Sequence, residues 1–200
     1  MHSLDRVAAS VSAEAYAAPP ARSEHLIGDW RIDRTVSTGD VAVYVNDARK
    51  QVLIGFRGTT LSRDDLLLVG SLISGVGKTD AHVARGAETV AQVRAAHTNK
   101  SVLLTGHSKG AWLASKVAQP NERVIGFAPA TSVADILQSY KPQSVRRPTV
   151  VYHSVAGDVL SIPSYFLHGA KHKIQTRSLL SLFAQGSLGV RNAHSISNFL

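Results

Sequence analysis

The hydrophobic pattern of the chain alternates between short β-branched runs and longer segments with the composition of helices. Runs typical of strands occur at residues 40–45, 51–56, 102–105, 124–127 and 149–155. Helices are predicted at residues 3–16, 61–73, 80–97, 111–118, 131–140 and 194–200. Because the later strands alternate with helices, we expect an α/β fold with a mainly parallel sheet and helices on both faces. The turn pair Asn46-Asp47 between the first two strands predicts a β-hairpin before the parallel part.

One segment joins a predicted strand to a predicted helix through a glycine-flanked serine. Residues 106–110 read Gly-His-Ser-Lys-Gly, which fits the pattern G-x-S-x-G of a nucleophile elbow. The glycines allow the strand and the helix to approach closely, and the turn exposes the hydroxyl of Ser108. Ser108 would lie at a helix N-terminus, where backbone N–H groups favour a developing negative charge. The backbone N–H of Lys109 is therefore a candidate oxyanion donor, although a serine in an ordinary glycine-containing turn gives the same five letters.

A serine nucleophile needs a base and an acid, and in the α/β-hydrolase order the acid follows the serine and the histidine comes last. Asp158 lies just past the strand 149–155, after Gly157, and is the only carboxylate side chain after Asp135. It is the predicted acid, with an ordinary turn aspartate as the alternative. Four histidines follow the serine: His153, His168, His172 and His194. His153 precedes the acid, so chain order favours His194 as the base and leaves His168 as the second choice.

Two other kinds of site are disfavoured by the sequence. Gly77-Lys78-Thr79 resembles the end of a phosphate-binding P-loop, but Leu72 occupies the position where that pattern needs glycine. His168 and His172 could share one helix face and bind a metal, yet no third ligand accompanies them. The chain has no cysteine, which excludes thiolate ligands and disulfides. We therefore expect neither a metal nor a cofactor.

Length and charge refine the prediction. The 200 residues are enough for a single domain, 1–200, and the net charge is +8. Much of the excess lies after residue 135, which favours an anionic membrane surface, a nucleic acid or an acidic partner, unless it is only a solvated basic face. The basic residues are dispersed with few aromatics among them, so nucleic acid is not expected. No run has the length of a membrane span and no signal-peptide pattern opens the chain, which predicts a cytoplasmic protein by default. The oligomeric state stays open.

In sequence order, these motifs resemble the class 3 lipase family of α/β-hydrolases. Residues 54–59, Ile-Gly-Phe-Arg-Gly-Thr, are similar to the strand that leads into the family's F-R-G-[ST] motif, and residues 105–114 are similar to its T-G-H-S-L-G-G-A-L-A elbow. Gly157-Asp158-Val159 followed by Pro163 resembles the family's aspartate-plus-valine-proline segment, and residues 165–169 resemble a segment between its acid and its base. His194 with the downstream Phe199 resembles its late catalytic histidine. Lys109 departs from the family, which usually has leucine there, and Ala111 replaces a glycine.

The resemblance implies a serine ester hydrolase of the lipase or esterase type that acts through an acyl-enzyme. It implies the catalytic residues Ser108, Asp158 and His194, an oxyanion hole formed by Thr59 and Lys109, and an ester or lipid substrate. An acyl-binding wall could be formed by Leu160, Ile162, Tyr165, Phe166, Leu179, Leu182 and Phe183, which could equally be core residues. The rival interpretation is a non-catalytic α/β-hydrolase scaffold that serves as a binding or structural protein of a virion or a membrane-associated assembly.

Overall fold

A single mixed β-sheet organises the described part of the chain. The computed structural model describes residues 3–59, 79–131, 133–140, 148–155, 158, 161–175 and 195–200. Within these ranges eight strands form one sheet in sequential order, from β1 to β8. The strands are β1 (His25–Leu26), β2 (Trp30–Ile32), β3 (Val41–Asn46), β4 (Gln51–Phe56), β5 (Ser101–His107), β6 (Arg123–Phe127), β7 (Thr149–Val155) and β8 (Lys171–Gln175).

The sheet has an antiparallel and a parallel half. Strands β1 to β4 pair antiparallel, and β3 and β4 form the predicted hairpin with Asn46 opposite Gln51. Strands β4 to β8 pair parallel, so their carboxyl ends lie at one edge of the sheet. The predicted mainly parallel α/β sheet is confirmed for these five strands. Side chains at the ends of parallel strands are the ones a fold of this class uses for chemistry.

Helices cover both faces of the sheet, as predicted. The described α-helices are α1 (Ser3–Glu14), α2 (Thr79–Ala96), α3 (Lys109–Val117) and α4 (Val133–Ser139). Helix α1 packs on the central strands from one side, where Val7, Ala8 and Val11 are buried. On the other side α3 contacts β5, β6 and α2, so Ala114 and Val117 are buried in a second core cluster. Strand residues alternate between the two clusters, because successive side chains point to opposite faces.

Three short 3₁₀ turns complete the described structure: η1 (Pro19–Ala21), η2 (Ile162–Phe166) and η3 (Ile196–Asn198). The last one corrects a sequence prediction, because residues 195–200 hold only this turn and not an α-helix. A local hydrogen bond caps the start of η3, because the Ser195 side chain accepts from the Ser197 N–H. Such side-chain bonds compete with a regular helix in a short serine-rich segment.

Several strands escaped sequence analysis. β1 and β2 span two and three residues, which is too short for an alternating pattern. β8 has the sequence Lys-His-Lys-Ile-Gln and pairs with β7 at the edge of the sheet. Three of its five residues are exposed or carry charge, so its hydrophobic pattern is weak. The predicted helix 61–73 and the P-loop-like residues 77–78 lie outside the described residues.

Candidate active site

The segment around Ser108 has the geometry of a sharp turn between a strand and a helix. Ser108 follows β5 and precedes α3, with φ 54° and ψ −121°. A serine with positive φ is strained, because its Cβ approaches the backbone. The turn is fixed from both sides: the Ser108 N–H donates to the Phe127 carbonyl at 2.9 Å, and the Ala130 N–H donates to the Ser108 carbonyl at 3.2 Å. Ser108 is therefore held in its strained conformation at the carboxyl edge of the sheet.

The two glycines of the turn are required by close packing. A Cβ atom on Gly106 would lie 2.3 Å from the carbonyl carbon of Gly110, so strand and helix are in direct contact there. A Cβ atom on Gly110 would lie 2.2 Å from the Phe56 carbonyl oxygen at the end of β4. The pattern G-x-S-x-G thus packs the first turn of α3 against the strand that leads to Thr59. This is the close approach that the sequence motif predicted.

Thr59 lies just after β4, the strand next to that of Ser108. Gly58 holds the two turns together, because a Cβ there would lie 2.4 Å from the His107 carbonyl oxygen. The hydroxyl oxygen of Thr59 is buried and has no hydrogen-bond partner among the residues that the structure describes. A buried hydroxyl without a partner is rare in native proteins and calls for an explanation. The structure therefore brings the predicted oxyanion residue Thr59 to the turn that carries Ser108.

Asp158 follows β7 at the same edge, two strands along from β5. It is 1% exposed. The side chain of Ser161 donates a hydrogen bond to the Asp158 carboxylate, and the Ser161 N–H donates to the Asp158 carbonyl at 3.2 Å. Ser161 is itself buried and thus holds the carboxylate in a fixed place. The sequence did not single out Ser161, since a serine three residues after an aspartate is too common to be a signal.

A hydrogen bond between Tyr16 and His107 links the segment after α1 to the turn that carries Ser108. The Tyr16 hydroxyl lies 2.8 Å from His107 Nδ1, and a Cβ on Gly58 would lie 2.0 Å from the same hydroxyl. Tyr16 follows α1, whereas His107 directly precedes Ser108. The phenol therefore contacts both segments that lead into the candidate site. Nothing in the sequence indicates this contact beyond the placement of Tyr16 at the end of the predicted helix 3–16.

Two of the four candidate histidines, His153 and His172, lie on strands and are partly or fully buried. His153 lies on β7 under α1, with Nε2 3.4 Å from Asp5 Oδ2 and its ring stacked on Phe127. Burial outweighs the neighbouring carboxylate and lowers the pKa of His153 to about 4, so its ring is neutral at pH 7. His172 lies on β8, where Tyr165 meets its ring edge-on, and burial lowers its pKa as well.

His168 belongs to the turn between η2 and β8. Its ring lies 5.5 Å from that of Tyr140, and its backbone N–H donates to the Ser139 hydroxyl at 3.0 Å. Ser139 is the last residue of α4, and Tyr140 directly follows it. The interpretation that His168 and His172 share a helix face is wrong, because His168 lies in a turn and His172 in a strand. Among the described residues, no three His, Asp or Glu side chains are grouped so that they could hold a metal ion.

His194, the predicted base, lies outside the described residues. The chain is described again from Ser195, and Phe199 is buried against Phe127 with ring centroids 5.1 Å apart. Phe127 is the residue whose carbonyl accepts the Ser108 N–H. The segment that directly follows His194 therefore ends beside the strand next to Ser108.

The predicted acyl wall is only partly described. Ile162 is 46% exposed and Phe166 57% exposed, so neither is a core residue. Leu160, Leu179, Leu182 and Phe183 lie outside the described residues. None of the described helices has the length and hydrophobicity that crossing a membrane requires.

Solved structures of lipases share this architecture. Lipase II from Rhizopus niveus matches 86% of this chain and 78% of its own, with a TM-score of 0.55 and 15% identity. The Rhizomucor miehei lipase propeptide complex matches 86% of this chain and 67% of its own, with a TM-score of 0.54 and 18% identity. The chain has the fold of these lipases. A triacylglycerol lipase whose catalytic centre is a serine protease triad matches 87% of this chain and 81% of its own, with a TM-score of 0.54 and 16% identity.

The resemblance to class 3 lipases seen in the sequence is thus confirmed as a likeness of fold. Neither a sequence model of a protein family nor a curated protein matches the chain. In this lipase fold, Ser108, Thr59 and Asp158 lie at the carboxyl edge of the parallel strands.

Proposed function

We propose that this protein is a serine ester hydrolase of the lipase type. Ser108 Oγ attacks the ester carbonyl carbon while His194 takes the serine proton. The tetrahedral intermediate collapses, the bond to the leaving alcohol breaks, and His194 returns the proton to that alcohol. Water then hydrolyses the acyl-enzyme with the same histidine as base. Asp158 orients the imidazole and stabilises its protonated form.

The observation that carries the proposal is the strained turn at Ser108. Its φ of 54° and ψ of −121° are maintained by two backbone hydrogen bonds and by glycines that contact each other across the turn. Strained backbone persists only where the surroundings impose it, and it concentrates at functional sites. A serine held in this way, at the N-terminus of a helix in a lipase fold, has its hydroxyl in the place from which a nucleophile works.

The oxyanion hole is proposed at Thr59 and Lys109. The backbone N–H of Lys109 belongs to the first residue of α3, where the helix dipole favours negative charge. Within the described part of the chain the buried hydroxyl of Thr59 has no hydrogen-bond partner, and a substrate oxyanion would provide one. Such donors commonly contribute about a hundred- to a thousand-fold to turnover.

Two observations support the choice of acid and base. Asp158 is buried, and the hydrogen bond from Ser161 fixes its carboxylate. The contact between Phe199 and Phe127 returns the chain to the strand beside Ser108 only five residues after His194. His168, the second choice, has its ring on Tyr140, the residue after α4, and its backbone N–H bonded to the Ser139 hydroxyl.

The test is hydrolysis of a soluble p-nitrophenyl butyrate by purified variants. We expect Ser108→Ala and His194→Ala each to lower kcat by about a thousand-fold or more, while His168→Ala stays within about threefold of the wild type. Because triad members act as a unit, the double variant Ser108→Ala/His194→Ala should be no slower than Ser108→Ala alone. A folded wild type without hydrolysis of any ester would instead favour the non-catalytic scaffold.

We also propose that the protein works at an anionic lipid surface. Four exposed apolar side chains belong to α4, the residue after it and η2: Leu137, Tyr140, Ile162 and Phe166. Helix α4 and η2 contact each other. The net charge of +8 adds attraction to anionic headgroups. Vesicles that contain phosphatidylglycerol should bind the protein more tightly than phosphatidylcholine vesicles at low salt, and Phe166→Ser should weaken both. Equal binding to the two kinds of vesicle would exclude electrostatic attraction to anionic headgroups as a contribution to binding.

A further inference from the structure

A cavity of about 350 Å³ lies between the start of α1 and two turns of the antiparallel half of the sheet. Its apolar walls are formed by Leu4 and Val7 of α1, by Ile27 of the turn between β1 and β2, and by Trp30 of β2. Val7 and Trp30 belong to the core cluster that α1 covers and are 6% and 1% exposed, whereas Ile27 is 76% exposed. The cavity therefore leads from the surface to the hydrophobic core.

This cavity lies at the edge of the sheet opposite to Ser108. One of its walls is the turn between β3 and β4, which carries Arg49 and precedes the amino end of β4. The proposed catalytic residues instead follow the carboxyl ends of the parallel strands. Helix α1 connects the two edges, because it begins at the cavity and is followed by Tyr16, which contacts His107. A helix of 12 residues is about 18 Å long, so the cavity is separate from the proposed active site and goes beyond the hydrolase function.

Asn46 holds two walls of the cavity together. The residue is 1% exposed, and its Nδ2 donates a hydrogen bond to the Gly28 carbonyl at 2.6 Å. Its Oδ1 accepts a hydrogen bond from the Arg49 N–H at 2.9 Å. One buried amide thus fixes both the turn that carries Ile27 and the backbone of Arg49. Walls that are formed before the ligand arrives are typical of small-molecule sites.

The cavity combines these apolar walls with two positive charges. Arg6 and Arg49 are both exposed, and no acid is found among the described residues that line the cavity. Within the described part of the chain, neither guanidinium is paired with a carboxylate. The acids beside them in sequence, Asp5 and Asp47, form ion pairs with other cations. A ligand that complements this cavity is therefore apolar over most of its length and carries a negative charge at one end.

We propose that this cavity is a binding site for a free fatty acid of medium chain length. The alkyl chain is removed from water against Leu4, Val7 and Trp30. The carboxylate accepts charge-assisted hydrogen bonds from Arg6 and Arg49, because a guanidinium matches the two oxygens of a carboxylate. Small-molecule pockets commonly have volumes of about 300–1,000 Å³. At about 350 Å³ the cavity suits one short chain and not a lipid with two chains.

The first test compares ligands that separate the chain from the charge. Binding of octanoate to the wild type is measured by calorimetry below micelle formation, beside butanoate and octan-1-ol. Octanoate should bind at least about tenfold more tightly than butanoate, because each buried methylene group adds about fourfold in affinity. It should also bind about tenfold more tightly than octan-1-ol, which has no carboxylate. Equal affinity for octanoate and butanoate, or for octanoate and octan-1-ol, overturns the proposal.

The second test assigns the charge to its residues. Arg6→Gln and Arg49→Gln should each weaken octanoate binding about tenfold and leave octan-1-ol within twofold of the wild type. Both side chains are exposed, so we expect the variants to fold. The matched control is Arg85→Gln, which changes an exposed arginine on α2 and should bind octanoate like the wild type. Unchanged octanoate affinity in both cavity variants, or an equal loss in Arg85→Gln, overturns the site.

The third test locates the ligand. The chain has two tryptophans, so in Trp112→Phe the tryptophan fluorescence comes from Trp30 alone. Octanoate should change this emission with the dissociation constant that calorimetry gives, and an unchanged emission at saturation overturns the location. N-acetyl-leucine imitates the carboxyl terminus of a peptide, so tighter binding of this compound than of octanoate would assign the cavity to a protein partner and overturn the proposal. None of these measurements involves ester hydrolysis, so their outcome is independent of the proposed function.

Discussion

The Tyr16 hydroxyl lies 2.8 Å from His107 Nδ1, which ties the end of α1 to the residue before Ser108. His107 is 6% exposed, so loss of this bond would disturb a buried ring. The same hydroxyl fills the space beside Gly58, directly before Thr59. Tyr16 is therefore a positioning residue for both segments of the candidate site.

We predict that Tyr16→Phe lowers kcat for p-nitrophenyl butyrate by about tenfold with little change in KM. The free energy of unfolding should fall by about 1–2 kcal/mol, because a buried imidazole nitrogen loses its partner. Steady-state kinetics and urea unfolding measure the two effects. Tyr140→Phe removes an exposed hydroxyl and serves as the control, with neither quantity expected to change. An unchanged kcat in Tyr16→Phe would refute the positioning role.

The glycine at the start of α3 should be indispensable. In Gly110→Ala the new methyl group would lie 2.2 Å from the Phe56 carbonyl oxygen, so helix and strand must separate. We expect a loss of about 3 kcal/mol or more in stability, or no folded protein. Gly39→Ala is the matched control, because nothing lies within 4 Å of its added methyl group. Thermal unfolding of the two variants measures the difference. Similar melting temperatures would contradict the close packing of Gly110 against β4.

The strain at Ser108 predicts a gain of stability on its removal. Ser108→Gly should raise the free energy of unfolding by about 1 kcal/mol, because glycine accepts positive φ without steric cost. Activity should be lost at the same time, since the nucleophile is absent. Ser10→Gly, in the middle of α1, should change stability in the opposite direction by a similar amount. A less stable Ser108→Gly variant would show that the turn is not strained.

His153 should make the protein less stable in mild acid. It is buried among Asp5 on α1, Arg123 on β6 and Lys173 on β8. Burial lowers its pKa to about 4 in the folded state, whereas an unfolded histidine titrates near 6.5. Between these values the unfolded chain binds a proton that the folded chain does not, so stability falls as the pH drops from about 6.5 to 4. The expected loss is about 2–3 kcal/mol.

Urea unfolding at pH 7 and at pH 4.5 measures this loss, and His153→Gln should make the difference between the two pH values clearly smaller. Asp5 does not produce the same effect in that window. Burial alone would raise its pKa, but the hydrogen bond from Lys173 and the charges of His153 and Arg123 together lower it from 3.8. Its contribution to stability is thus lost only at still lower pH. An equal pH dependence in His153→Gln and the wild type would contradict the assignment.

The parallel half of the fold and the position of the elbow could be predicted from sequence. Strands β5, β6 and β7 are buried over most of their length on both faces, so each contains a run of apolar and β-branched residues that a sequence reveals. Ser108 and Asp158 could be placed at the carboxyl edge of the sheet, because each comes within three residues of the end of such a strand. β8 could not, because an edge strand keeps polar residues and loses the pattern.

Contacts between distant segments were beyond sequence analysis. Tyr16 and His107 are 91 residues apart, and Asp5 and Lys173 are 168 apart, so neither pair has a local signature. The terminal helix was overpredicted, since residues 195–200 close a 3₁₀ turn through a serine side chain. A cavity beside α3 likewise brings together Arg57, Arg85 and Lys109, which are far apart in the sequence. From the sequence, Lys109 could be recognised as an unusual residue after Ser108. That Arg57 and Arg85 line the same cavity could not be predicted.

The most direct test of the account is a covalent label on Ser108. The wild type is treated with a fluorophosphonate, which reacts with activated serines, and the adduct is located by peptide mass spectrometry. We predict one phosphonyl group per chain on Ser108, no labelling in Ser108→Ala, slow labelling in His194→Ala and normal labelling in His168→Ala. A folded wild type that remains unlabelled, or an adduct on another serine, would contradict the proposed catalytic site.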